Sequence, residues 1–301
     1  MGSAFRLTRV VAALPAWTLY VLFFLVPLSI IVAYSFGYKP APDDPAIIGL
    51  DRLSLDNYRA VTSGLLGDVL FATVQTAATG TLLCLIIGYP VAYFLATRVS
   101  ERRKPLLLML VVVPFWTSFL LRTFAWRILL SGNGPVSTAL QAVGLLGEPL
   151  RVLDTRAAVQ LGVVYNYLPL MVLPIFVAVD RLDATLREAS QDLGAGRWRT
   201  FVNITWPLSA PGVVSGVLLV FIPLAGEYVT PTILGGARGA MAGSLVASQF
   251  LEAQNWALGS AEAVVLVLAI LGVVSGCALV LAAVRSARRL RQRDLIQQSV
   301  A

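Results

Sequence analysis

Glu227 stands in an otherwise apolar run, within Gly226-Glu227-Tyr228-Val229-Thr230-Pro231. A charge at the centre of a membrane span costs about 2.5 to 3.5 kcal/mol on insertion scales, so such a carboxylate needs a partner. Two readings stand. Either Glu227, with Tyr228, faces a pathway and meets a cationic solute, or it sits near an interface and pairs with Arg122 or Arg127. Asn166, between Tyr165 and Tyr167 and near Pro169 and Pro174, is a second polar group in an apolar run. It lines a pathway where backbone is interrupted, or it glues helices together. Glu262 begins another apolar run, where an interfacial position needs no function, and Arg122 and Arg127 are expected to snorkel outward.

Other chemistry lacks its parts. Histidine is absent, which removes the commonest proton relay and metal ligand. Cys84 and Cys277 lie in separate uncharged blocks, so neither a disulfide framework nor a Cys-x-x-Cys site is indicated. A phosphate-cradling loop needs Gly-Lys before Ser or Thr, yet the only lysines, Lys39 and Lys104, follow Tyr and Arg. The chain is therefore not expected to bind ATP, a metal or any other cofactor. No nucleophile with a base and no carboxylate pair recurs on either side, which argues against a membrane-embedded enzyme.

The elements that hold these residues follow from composition. Of the 301 residues 57% are hydrophobic and 13% charged, with mean hydropathy +0.79, whereas soluble domains carry about 25% charge. The apolar residues come in blocks long enough for about 20-residue spans. Six all-α spans are expected in one domain, about 14–36, 69–97, 105–128, 157–179, 211–234 and 262–284. The first is too long for a signal-peptide core and should stay as an anchor. Between the first two lie Pro40, Pro42, Pro45, Asp43, Asp44, Asp51 and Asp56, an irregular outer cap with one short helix near Leu55 to Val61. Gly80, Gly88 and Gly162 are read as close-packing sites.

Charge sets the orientation. With the N-terminus inside, the cytoplasmic segments hold fifteen of the Lys and Arg residues and the outer loops six, and cytoplasmic loops carry the excess. Both termini are thus placed in the cytoplasm. The tail from Arg285 to Arg293 reads as a basic anchor on a lipid bilayer, not as a nucleic-acid patch, so the net charge of +7 needs no nucleic acid.

The inner loop 181–210 is more than a linker. Leu182, Leu186, Ala189 and Leu193 recur at helical spacing, and Thr185 with Glu188 makes a capping box. Gly194 is placed to stop the helix. Trp198, Phe201 and Val202 give a second apolar face, which Pro207 is expected to close. Small side chains at Ala189, Ser190 and Gly194 let another backbone approach, as in a helix docked in a partner's groove.

These residues carry a resemblance. Glu188-Ala189-Ser190, then Gly194, then Ile204-Thr205-Trp206-Pro207 resembles the Glu-Ala-Ala (EAA) signature of binding-protein-dependent ABC importer permeases, departing at Ser190 for Ala and Trp206 for Leu. Ser54 to Tyr58, Arg122 to Trp126, Gly226 to Pro231, Leu234 to Gly236 and Asn255 to Ala261 are similar to the spermidine and putrescine permease branch. The resemblance implies a type I ABC importer permease fold with cytoplasmic coupling helices, in a bacterial inner membrane. It implies polyamine transport, an ABC ATPase subunit in two copies that uses the ATP and Mg, a second permease that is a homologue, and an extracytoplasmic solute-binding protein. Glu188, Ala189, Ser190, Gly194, Ile204 and Pro207 become the coupling residues, and Glu227, Tyr228 and Asn166 the candidates for the solute pathway. Another small solute (an amino-acid derivative, an opine or iron) is the alternative. A stand-alone secondary transporter would want inverted repeats and ionisable groups near the midplane, and would leave the loop unexplained.

Overall fold

The computed structural model describes residues 14–41, 46–62 and 65–300, without the side chains of 65, 66 and 280–300. Arg6, Arg9, Pro42, Asp43, Asp44 and Pro45 lie outside the described residues, as do the side chains of the Arg285 to Arg293 tail. Among the described residues all regular structure is helical, apart from one antiparallel bridge between Tyr38 and Gly49.

In chain order, besides a π turn at Pro231–Gly235, the helices are α1 (Leu14–Tyr34), α2 (Asp56–Thr62), α3 (Leu65–Arg98), α4 (Lys104–Trp116), α5 (Phe119–Leu129), α6 (Pro135–Ala142), α7 (Arg156–Asp180), α8 (Ala184–Asp192), α9 (Arg197–Ala225), α10 (Ala242–Leu251) and α11 (Trp256–Val300). Among the described residues five are long and apolar enough to cross a membrane: α1, α3, α7, α9 and the Trp256–Leu279 part of α11. The expected third span is not one rod. Helices α4 and α5 meet at 87°, because Pro114 removes an amide from the last turn of α4 and Thr117 and Ser118 are extended at ψ 154° and 131°. The pair supplies the sixth crossing only when taken together.

Helix α9 corrects a second expectation. Pro207 closes nothing, since the helix runs unbroken from Arg197 through Pro207 and Pro211 to Ala225. A π turn over Phe201–Thr205, in which the Trp206 amide bonds the Phe201 carbonyl, widens the helix one residue ahead of the proline. The span therefore begins before residue 211, and it ends at Ala225 instead of 234. The last span likewise starts early, at Trp256.

The chain forms two compact units. The first comprises residues 1–68 and 245–269. Within it the Asn57 amide donates to the carbonyls of Ser35 and Gly37 at 3.1 and 2.7 Å, and Tyr58 shares a 2.6 Å hydrogen bond with Ser35, so the expected short outer helix, α2, caps the end of α1. Lys39 donates to the Ala253 carbonyl at 2.7 Å. Asn255 caps α11 by accepting from the Leu258 amide, and Trp256 packs edge-on against Phe250.

The second unit, residues 69–244 and 270–301, has its core on α7. Met171, Val172, Ile175, Val220 and Leu224 are fully buried there. In lipid the gain is packing, not removal of apolar surface from water, so small residues must bring backbones together. Gly212 lies so close to Ala178 and the Pro174 carbonyl that no Cβ fits, and Gly216 rests on Met171. Gly80, Gly88 and Gly162 are close contacts as expected, facing Leu224, Met171 and Leu234. Leu82, Ile86 and Phe94 of α3 and Leu218 and Ile222 of α9 are exposed, which suits a lipid-facing surface.

Candidate functional site

The loop 181–210 folds as two helices on a glycine turn. Asp183, not the Thr185 and Glu188 pair, starts α8: its carboxylate accepts from the Thr185 amide at 3.0 Å, because an Asp two residues earlier takes the N-cap. That bond to the amide holds the Asp183 carboxyl below its ordinary value. Gly194 then takes φ +82°, its amide bonds the Gln191 carbonyl at 2.9 Å, and the Ala195 amide bonds the Ser190 carbonyl at 3.1 Å. This pair of bonds is a Schellman motif. Helix α8 buries none of its residues. Leu186, Ala189 and Leu193 all face outward, and Leu193 is 89% exposed. A Cβ on Gly194 would meet nothing within 4 Å.

The two departures from the Glu-Ala-Ala signature have structural roles. Ser190 shares a 3.1 Å hydrogen bond with buried Thr200, tying α8 to α9. Trp206 packs against Tyr89 with ring centroids 5.0 Å apart, and Phe201 meets both Tyr89 and Tyr93. Tyr89 also shares a buried 2.8 Å bond with Ser209. Ile204 is half-buried and Pro207 exposed. The aromatic set fixes the loop to α3, a link the sequence reading missed; Tyr89 and Tyr93, one turn apart, were its signal. Lys104 was also missed. It is buried between Glu101 and Asp180, at 2.6 Å from each, and joins the start of α4 to the end of α7.

The intramembrane candidates separate. Glu227 follows the break after α9, is buried, and accepts from Tyr167 at 2.5 Å on one oxygen and from the Val229 and Thr230 amides at 2.8 and 3.2 Å on the other. It pairs with neither Arg122 nor Arg127, because these groups already satisfy it. Arg127 instead donates to the Ile233 carbonyl and lies 4.0 Å from Asp154. Nor does Arg122 snorkel. It is buried, with its guanidinium over the rings of Phe115 and Phe119 and two nitrogens unpaired, because the bend between α4 and α5 turns it inward. Asn166 is buried beside Tyr167 and donates to Thr123 at 3.4 Å, while Tyr228 is half-exposed. Glu262 is buried in the second turn of α11.

A helical membrane protein with broken spans and an exposed helical loop is the architecture of a transport permease. The family described as "Binding-protein-dependent transport system inner membrane component" matches residues 85–292, and the chain belongs to it. The spermidine/putrescine transport system permease PotB of Escherichia coli K12 is 37% identical over 82% of this chain and 88% of its own length. PotB of Haemophilus influenzae is 35% identical over 84% and 86%. A bacterial ABC transporter involved in import of the acidic polysaccharide alginate has a chain of the same fold, with TM-score 0.67 at 15% identity over 88% of this chain and 92% of that one. The chain is thus an inner-membrane permease component of an ABC importer with a type I permease fold, and not an enzyme.

Proposed function

We propose that this permease carries a polyamine, putrescine or spermidine, handed over by an extracytoplasmic binding protein, and that a second, homologous permease completes its pathway. The similarity to PotB over most of both chains supports the solute class. Two copies of a separate ATPase power transport and hold the ATP and Mg, one copy docking on loop 181–210 of this chain. Both termini face the cytoplasm, in accord with the excess of Lys and Arg in the segments on that side.

The observation that carries the coupling role is the exposure of α8. A helix whose apolar Leu186, with Leu193 at its C-cap, is left in solvent is suited to a groove on a partner. Glu188, Ala189, Ser190 and Gly194 would lie against that partner. Closure of the ATPases would push α8, and the bonds from Ser190 to Thr200 and from the α9 aromatics to Tyr89 and Tyr93 would pass the motion to α3 and α9. Ile204 and Pro207 belong to that rigid arm. Selection between the two permease states gives alternating access. In the pathway, Glu227 is the counter-charge for a solute amine, which would replace the Tyr167 hydroxyl, with Tyr228 at its mouth and Asn166 holding α7 to α5.

Co-purification with the ATPase tests the arm. Wild-type chain should retain the ATPase and Gly194→Arg should lose it while still inserting in the membrane. Failure of the wild type to retain any ATPase overturns the docking role. Uptake of labelled putrescine by the reconstituted complex tests the solute.

A further inference from the structure

We propose that the open cavity bordered by the end of α3, helix α8 and the first turns of α9 is a site for the phosphate headgroup of an anionic phospholipid. The cavity is about 740 Å³ and is lined by Arg98, Arg187 and Arg197, with Glu188, Tyr93 and Trp198 among its other walls. That volume lies within the roughly 300 to 1,000 Å³ of small-molecule sites. Among the described residues none of the three guanidiniums has a carboxylate within 4 Å, although Arg52, Arg59, Lys104, Arg127 and Arg151 all do. Three arginines against one carboxylate leave the cavity cationic, and planar guanidiniums match phosphate oxygens in pairs.

Position selects the ligand. Arg98 is the last residue of the spanning helix α3, so the cavity opens where hydrocarbon gives way to headgroups. Its two ends differ. Tyr89, Pro90 and Phe201 form an apolar floor toward the span, and the arginines form the rim. An apolar floor beneath a cationic rim accepts the upper acyl chain and the phosphate of one lipid together, and basic pockets beside spanning helices are suited to anionic headgroups. Trp198, 74% exposed, is an amphipathic ring of the kind that sits at headgroup level. Since α8 is itself one wall, an occupying lipid would brace the loop against α3. The inference rests on reading loop 181–210 as a membrane-border segment, but it needs neither ATPase nor polyamine.

The test is native mass spectrometry of the full-length chain in mild detergent with equimolar phosphatidylglycerol and phosphatidylcholine. Wild type should retain phosphatidylglycerol in preference. Each arginine near an anionic surface contributes about fivefold, so R98Q/R187Q/R197Q should lose that preference by at least tenfold, and Arg197→Gln alone by about fivefold. Arg102→Gln with Arg103→Gln, which removes two exposed basic residues that follow α3 and do not line the cavity, should retain it. Equal loss in that control, or unchanged retention in the triple and single variants, overturns the site. Displacement of the lipid by millimolar inorganic phosphate would assign the cavity to free phosphate and overturn the lipid. Loss of ATPase co-purification in the triple variant with lipid retention unchanged would give the cavity to the ATPase instead. Failure of the ATPase reading alone leaves the lipid count unaffected.

Discussion

Tyr167 on α7 donates its hydroxyl to Glu227 Oε2 at 2.5 Å, across to the break that follows α9. The other oxygen caps the next turn through the amides of Val229 and Thr230. Glu227 thus has a structural task and a charge, and the two can be separated. Glu227→Gln keeps an acceptor for the amides and should change stability by under about 1 kcal/mol. If the charge meets the solute amine, putrescine uptake should still fall at least tenfold. Glu227→Ala leaves two buried donors and one part-buried donor unpaired and should cost about 3 kcal/mol or more. Thermal unfolding in detergent reads the first effect and proteoliposome uptake the second. Normal uptake by the Gln variant would leave only the cap.

Lys104 gives a prediction about unequal partners. Its ammonium lies 2.6 Å from both Glu101 and Asp180, but the Glu101 side chain is 85% exposed and that of Asp180 34%. Exposed pairs contribute about 0.2 to 1 kcal/mol, whereas a broken buried pair costs about 3 to 5. Glu101→Gln should therefore lower stability by under about 1 kcal/mol and Asp180→Asn by about 2. An Asp180→Asn midpoint equal to that of Glu101→Gln would show that the less exposed Asp180 pair contributes no more than the exposed one.

The spans were legible because length and absence of charge fix them, and Gly194 was legible because a glycine after an amphipathic run has one common use. The bend at Thr117 and Ser118 was not. Nothing in Pro114-Phe115-Trp116-Thr117-Ser118 distinguishes a kinked rod from a right angle. Pro207 misled for a related reason: the π turn before it is a backbone adjustment with no side-chain signature. Partners of buried charges were the least readable. Arg122 and Glu227 have opposite signs and invite pairing, yet the carboxylate is met by a tyrosine and two amides and the guanidinium by two rings.

The seam between α7 and α9 should be intolerant where α11 is not. Gly212 has no room for a Cβ beside Ala178 and Pro174, while Gly272 has nothing within 4 Å. Gly212→Leu forces the two helices apart, and overpacking costs about 1 to 3 kcal/mol or more. Gly272→Leu should be within about 0.5 kcal/mol of wild type. Comparison of melting midpoints checks this, and a neutral Gly212→Leu would contradict the close approach.

Asp183 sets the acid sensitivity of the loop. Its carboxyl is held below the ordinary value of 3.8 by the Thr185 amide. A depressed folded-state value means that the contribution is complete above the unfolded value and disappears as pH falls through the lower folded one. Amide exchange at Thr185, corrected for intrinsic rates, should be unchanged from pH 8 to 5 and should rise only below about pH 4. A rise between pH 7 and 5 would mean that another group holds the first turn of α8.

Gly194 separates a turn requirement from a docking requirement. At φ +82° most side chains meet a penalty of about 1 to 2 kcal/mol, but Asn enters this region readily. Gly194→Asn should keep the Schellman bonds, so that exchange protection across 184–193 stays at the wild-type level. Gly194→Val should lose that protection. The direction a Cβ would take from Gly194 is open within this chain, so any further effect of Asn must come from a partner seated there. With an ATPase against α8, Gly194→Asn should weaken retention at least tenfold despite its intact turn. An Asn variant that both folds and holds the ATPase like wild type would show that the glycine serves the turn alone, and would move the close contact elsewhere on α8.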